Sequence, residues 1–148
     1  VPKRLGFNAA SAAVLISDDR GGKIGDYLNA YASVRDSGRR VIINGPCYSA
    51  CTLILGVVPR ERICATSSAQ LGFHAAAKKD LLGRQVSSPE GTQLVWDAYP
   101  GDVRHWITHH GGLSAEMVFL KGRELESMVR SCHSPVSRAK NRSDIGEM

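Results

Sequence analysis

Ser49 and His74 are the two residues whose types and settings suit nucleophilic chemistry. Ser49 lies in Gly45-Pro46-Cys47-Tyr48-Ser49-Ala50-Cys51-Thr52, directly after the apolar run Val41-Ile42-Ile43 and before Leu53-Ile54-Leu55. A serine at such a strand-to-helix junction sits at the carboxyl end of a parallel sheet, where clefts form. The helix start places unpaired amides and partial positive charge beside it. The Ala50 amide is then placed to meet a developing oxyanion. The plainer reading of the same serine is a helix N-cap. The segment is not the Gly-x-Ser-x-Gly elbow of the α/β-hydrolases, because cysteines stand two residues to either side of the serine. His74 closes Leu71-Gly72-Phe73-His74, one helix and one strand downstream. That distance returns the chain to the same sheet edge, although a lone histidine is more commonly a solvated or core imidazole than a base.

The elements that must position this pair follow from apolar periodicity. Residues 12–17 read as a buried strand ending in the polar turn Asp18-Asp19-Arg20-Gly21-Gly22. The Gly-Gly pair lets the backbone approach another group closely. Ile24, Leu28, Tyr31 and Val34 recur at helical spacing, and Gly38 is a suitable stop. Val41–Ile43, residues 62–65 and Leu71–Phe73 read as further short strands, with a helix from Ser49 that stops before Pro59. This alternation predicts right-handed crossovers in a largely parallel sheet. Residues 75–87 read as a polar loop. Ser88-Pro89-Glu90 starts a helix that breaks at Pro100, and a second helix covers residues 102–110. Ser114 is read as the cap of a short helix carrying Met117, Val118 and Leu120, and the chain from Ser131 onward as frayed.

The 148 residues, 43% apolar and 22% charged, suit one domain, read as residues 1–132 with a disordered tail over 133–148. No apolar run is long enough to span a bilayer. No leader is visible at Val1-Pro2-Lys3-Arg4, so a targeting segment, if the protein is exported, has been removed. The net charge of +5 is scattered, with much of the excess in Arg130, Arg138, Lys140 and Arg142, and no nucleic-acid module accompanies it. His105 and His109 share a helix face but lack a third ligand at suitable spacing, so no metal is expected. Lys78 and Lys79 are candidates for a Ser–Lys dyad but lie in no clearly buried context. Trp96, Tyr99 and Trp106 form an aromatic stripe expected to be partly buried between subunits.

Four cysteines permit two disulfides in three connectivities. Cys47 and Cys51 bracket Ser49 across a sharp turn, which leaves Cys64 to join Cys132. Cys51 with Cys64 is also sterically reasonable. The plainer reading is a set of reduced, buried thiols; two bridges would point to an oxidising compartment, periplasmic or secreted.

The order of strand, Gly-Gly loop, helix, strand, Ser-Ala-Cys-Thr helix start, strand and Leu-Gly-Phe-His resembles the Clp protease proteolytic subunit and its relatives in the crotonase superfamily. The Ser-Ala-Cys-Thr block is most similar to exported bacterial Clp-like proteins. The similarity covers residues 12–76 in motif order and weakens towards residue 122. It implies an α/β fold with a mostly parallel sheet built from repeated ββα-type units flanked by helices. It also implies a protruding, handle-like helical part over residues 77–112. By position it makes Ser49 the nucleophile and His74 the general base, with the amides of Gly22 and Ala50 as the oxyanion hole. It implies a homo-oligomer acting on peptide or unfolded protein, without a cofactor. The family's third member, an aspartate, falls where this chain has Lys121, with Glu116 and Glu124 nearby. Three functions follow: a serine hydrolase, most plausibly a peptidase; a catalytically silent Clp-like module that binds peptide in the same groove; and an acyl-thioester enzyme of crotonase type, for which no adenine-site signature is present.

Overall fold

The computed structural model describes residues 12–132, and the tail assigned to residues 133–148 lies outside the described residues. The chain is mixed α/β. Strand β1 (Val14–Ile16) leads into helix α1 (Ile24–Ser37), which is followed by β2 (Val41–Ile43) and β3 (Pro46–Tyr48). A 3₁₀ turn, Ser49–Leu53, runs into the single-turn helix α2 (Ile54–Val57), and then come β4 (Ile63–Ala65) and β5 (Gln70–Phe73). The chain thus visits two sheets in turn. Parallel pairing gives β1-β2-β4 in one sheet, and β3-β5 in the other. The second sheet is completed by β8 (Val118–Lys121), antiparallel to β5 with Phe73 opposite Val118.

One face of the first sheet is the apolar core face, while Leu15 on the other is 59% exposed. Val41, Ile43 and Ile63 are fully buried. Helix α1 has no side-chain N-cap and ends at Gly38 in the left-handed conformation, where a residue without Cβ is needed (φ 77°). Tyr31 is its one buried residue, and its hydroxyl donates to the Cys51 carbonyl at 2.9 Å, tying α1 to the segment after β3. Between residues 87 and 110, Ser88 caps α3 (Pro89–Ala98) by accepting from the Gly91 amide at 3.0 Å, and α4 (Gly101–His109) follows Pro100. A short α5 (Gly122–Glu126) follows β8.

Four expectations are corrected. Residues 75–87 are not loop-like throughout: β6 (Ala77–Lys79) and β7 (Gln85–Ser87) form an antiparallel hairpin. Its turn is organised by the Asp80 carboxylate, which accepts from the amides of Leu82 and Arg84 and from Arg84 Nε. Residues 118–121 form strand β8 rather than a helix, because Leu120 packs fully buried beside Leu71 once the segment pairs with β5. The aromatic stripe is used within the chain. Tyr99 and Trp106 are buried, with ring centroids 5.4 and 5.7 Å from that of Phe73, which leaves Trp96 as the partly exposed member. For the same reason the helical part does not stand away from the core. Val95, Tyr99, Val103, Trp106 and Ile107 join the same apolar cluster as Phe73, and the exposed part is the β6–β7 hairpin, with Leu81 and Leu82 at its tip.

The end of the described chain is held rather than frayed. Ser131 bridges Ala65 in parallel, the Cys132 amide donates to the Ala65 carbonyl, and Cys64 and Cys132 form a disulfide. A second disulfide joins Cys47 to Cys51. Cys51 therefore does not pair with Cys64, and no described cysteine is free.

Candidate active site

Ser49 begins where β3 ends, and its backbone is unusual. It is the only non-glycine among the described residues with positive φ, at 61°. For a residue with a Cβ that conformation costs about 1–2 kcal/mol. It persists only where the surroundings over-determine it, as strained residues at functional positions do. Here the surroundings are identifiable. The Cys47–Cys51 disulfide spans the turn, and both cysteines are fully buried. Thr52 donates its hydroxyl proton to the Ser49 carbonyl at 2.6 Å. That hydroxyl has one proton to give, so in the 2.7 Å contact with Tyr99 it is Tyr99 that donates. Burial pushes the Tyr99 phenol up to about 12, so this donor keeps its proton throughout the neutral range.

Ser49 makes no capping bond; its Oγ stands 2.8 Å from His74 Nε2. The imidazole reaches it because β5 lies parallel beside β3, with Tyr48 opposite Gly72, so that the chain leaves both strands at the same end. A Cβ at Gly72 would stand 2.8 Å from the Tyr48 ring and closer still to Met117, so a larger residue there would have to displace those side chains. Burial holds the His74 pKa below the ordinary imidazole value of 6.5, which favours the neutral form able to accept a proton.

The loop after β1 supplies the opposite wall. Asp19 anchors it to β3: its amide donates to the Pro46 carbonyl, its carbonyl accepts from Tyr48, and its carboxylate accepts from the Gly21 amide and the Tyr27 hydroxyl. Burial, and then the neighbouring Asp19 carboxylate, push the Tyr27 phenol up to about 12. Gly21 has φ 96°, and a Cβ there would lie 2.7 Å from Ser49 Cβ and 3.2 Å from the Ala50 nitrogen. Gly21 is thus the residue that lets the loop touch the serine. Gly22, its neighbour, packs against Tyr27. Ala50 lies in the first turn of the 3₁₀ segment, where amides have no acceptor within the helix. The Gly22 amide likewise has no acceptor among the described residues.

Ser49, Ala50, Gly22 and His74 line one cleft of about 680 Å³, together with Gly21, Ile24, Ala75, Ala76, Val95 and Tyr99. Lys78 and Lys79 line the same cleft from the hairpin. Both are exposed, and Lys78 lies 3.8 Å from Glu90, so neither has the desolvation a base lysine needs. Among the described residues no carboxylate is hydrogen-bonded to His74. Lys121 and Glu116 are exposed, and Glu124 contacts His110 at 3.2 Å. The His105 and His109 rings lie tilted at 44° with centroids 4.2 Å apart, and no described group of three ligating side chains is placed to hold a metal ion.

The sequence passed over two participants. Tyr99 belongs by spacing to the aromatic stripe expected between subunits, whereas its hydroxyl steadies the Ser49 carbonyl through Thr52. Gly21 was read only as half of a Gly pair, and nothing in the sequence separates its role from that of Gly22. No family model matches the chain, and no curated protein matches it.

Proposed function

We propose that the chain is a serine hydrolase, a peptidase, with the Clp protease/crotonase type of fold. The observation that carries the reading is the 2.8 Å contact between His74 Nε2 and the Oγ of a serine held at φ 61°. A capping serine would need neither the conformation nor the imidazole. The repeated passage from a strand of one sheet to a strand of the other and then to a helix supports the fold type.

In this mechanism neutral His74 Nε2 takes the Ser49 proton as Oγ bonds to the acyl carbon. The carbonyl π electrons move to oxygen, and the oxyanion meets the amides of Ala50 and Gly22. The imidazolium then returns the proton to the leaving amine or alkoxide as the acyl–heteroatom bond breaks. Water repeats the sequence on the acyl-enzyme and releases Ser49. Among the described residues no carboxylate holds the far side of the ring, which limits the rate, because a carboxylate there fixes the tautomer and stabilises the cation.

That same open side favours the second reading, a silent Clp-like module that binds peptide in the groove. A fluorophosphonate probe separates the two. The hydrolase becomes covalently modified at Ser49, and labelling is lost in Ser49→Ala. A folded protein that resists the probe is the binding module. Two disulfides are compatible with a periplasmic or secreted protein. No helix of the described residues is long and apolar enough to cross a membrane.

A further inference from the structure

The cleft around Ser49 is unevenly charged. Four cationic residues line it, Arg20, Lys23, Lys78 and Lys79, and no aspartate or glutamate does, although the chain carries 14 acids. Two of the four are already matched: Arg20 by Asp18 at 2.8 Å and Lys78, loosely, by Glu90 at 3.8 Å. Lys23 and Lys79 have no ion-pair partner among the described residues. The nearest acid behind the loop, Asp19, spends its carboxylate on the Gly21 amide and the Tyr27 hydroxyl. The same cleft carries an apolar lining from Ile24, Ala75, Ala76, Val95 and the Tyr99 ring, with Gln85 as an uncharged polar member.

We infer that this cleft selects acidic peptides: an apolar residue rests on the Ile24–Val95–Tyr99 lining while a flanking carboxylate meets Lys23 and Lys79. The inference deepens the hydrolase reading by naming its substrate class, and it rests on that reading only for turnover, not for binding. Lys23 stands at the start of α1, on the Gly21-Gly22 side of Ser49, and Lys79 stands at the end of β6, on the hairpin side. A bound chain crossing the serine therefore passes a cation on both sides. An excess of one sign around an acid-free cleft raises the local concentration of the opposite sign and penalises like charge. Each exposed pair contributes a factor of about three and the two together about tenfold at low salt.

The test uses Ser49→Gly, which removes the nucleophile and accepts φ 61° without strain, so that binding is read without hydrolysis. Two peptides are compared by fluorescence anisotropy with a zwitterionic dye, one carrying glutamates on both sides of a central leucine and the other glutamines. The glutamate peptide binds about tenfold more tightly at about 0.01 M salt, and the preference fades towards about 1 M, where screening shortens to about 3 Å. Lys23→Gln/Lys79→Gln abolishes the preference, so that the two peptides bind that variant with equal affinity. Equal affinity for the two peptides, including no affinity for either, overturns the inference, as does a preference that survives the double substitution. Failure of the hydrolase reading shows elsewhere, as wild-type protein that the fluorophosphonate does not label. A charge preference without labelling sustains the acidic-peptide site and rejects the hydrolase, whereas labelling without a charge preference does the reverse.

Discussion

Substituting Gly21 by alanine tests whether the loop after β1 is what holds Ser49 in place. Two costs are expected, and the structure allows them to be separated. The first is conformational. Gly21 has φ 96°, which charges an L-residue about 1–2 kcal/mol. The second is contact: the new methyl stands 2.7 Å from Ser49 Cβ and 3.0 Å from the Tyr48 carbonyl oxygen. Neither neighbour is the free end of a flexible side chain, so the loop or the Ser49 turn must move, at an overpacking cost of about 1–3 kcal/mol. Gly111 is the matched control, with φ 105° and open space around its would-be Cβ. Gly111→Ala should lose only the conformational part, about 1–2 kcal/mol. Gly21→Ala should lose about 2–5 kcal/mol in all. If the relief displaces Ser49 by about 1 Å, the rate of its modification falls by about a hundredfold. The assays are urea unfolding and the second-order rate of fluorophosphonate labelling. The reasoning is refuted if Gly21→Ala and Gly111→Ala unfold at the same midpoint and both are labelled at the wild-type rate.

Labelling of Ser49 should depend on one ionisation with its midpoint below 6.5, because burial lowers the His74 pKa and the neutral ring is the base; a midpoint above 7 would contradict this. The same shift means that the folded chain binds fewer protons than the unfolded chain between the folded pKa and 6.5, so the His74 contribution to stability declines as pH falls through that window. Replacing Cys64 and Cys132 by alanine opens a loop of sequence separation 68 and should cost about 4 kcal/mol by the chain-entropy relation. Replacing Cys47 and Cys51, separated by 4, should cost only about 2 kcal/mol; thermal unfolding that reverses this order would count against it. Ser49→Gly should be more stable than Ser49→Ala by about 1 kcal/mol, since both remove the hydroxyl and only glycine is at ease at φ 61°; equal stabilities in urea would mean that the turn is unstrained.

What the sequence reveals of this protein follows burial. Val41-Ile42-Ile43 and Leu71-Gly72-Phe73 announce strands because nearly everything in them is covered, and α1 and α3 are marked by periodicity, a stop glycine or a capping serine. The β6–β7 hairpin is silent by the same logic. All six of its paired residues are exposed, so no apolar alternation marks it, and its order comes from the hydrogen bonds around Asp80. Strand β8 misleads for another reason: Ser114 resembles a cap and the apolar residues after it are too few for periodicity to decide, until pairing with β5 does so. At the candidate site, residue order alone places Ser49 and His74 on one sheet edge. Order cannot show a φ of 61°, nor which glycine of a pair makes the contact, because both depend on backbone brought from three separate segments. The two pairings around Cys51 illustrate the same limit. Cys47 and Cys64 are both near enough in the chain to compete, and the turn that carries Ser49 favours the shorter bridge.

The bridge between Ala65 and Ser131 has an architectural consequence. With β4 flanked on its outer side, and locked there by the Cys64–Cys132 bond, the sheet β1-β2-β4 has lost one of its two margins. Among the described residues β1 has β2 as its sole neighbour, and Leu15 in it is 59% exposed. Edge strands are templates for further strands. Within the described residues, growth of this sheet, by domain exchange or by aggregation of unfolding chains, therefore has a direction, past β1 and not past β4, and reducing agents that release Cys132 would make it two-sided.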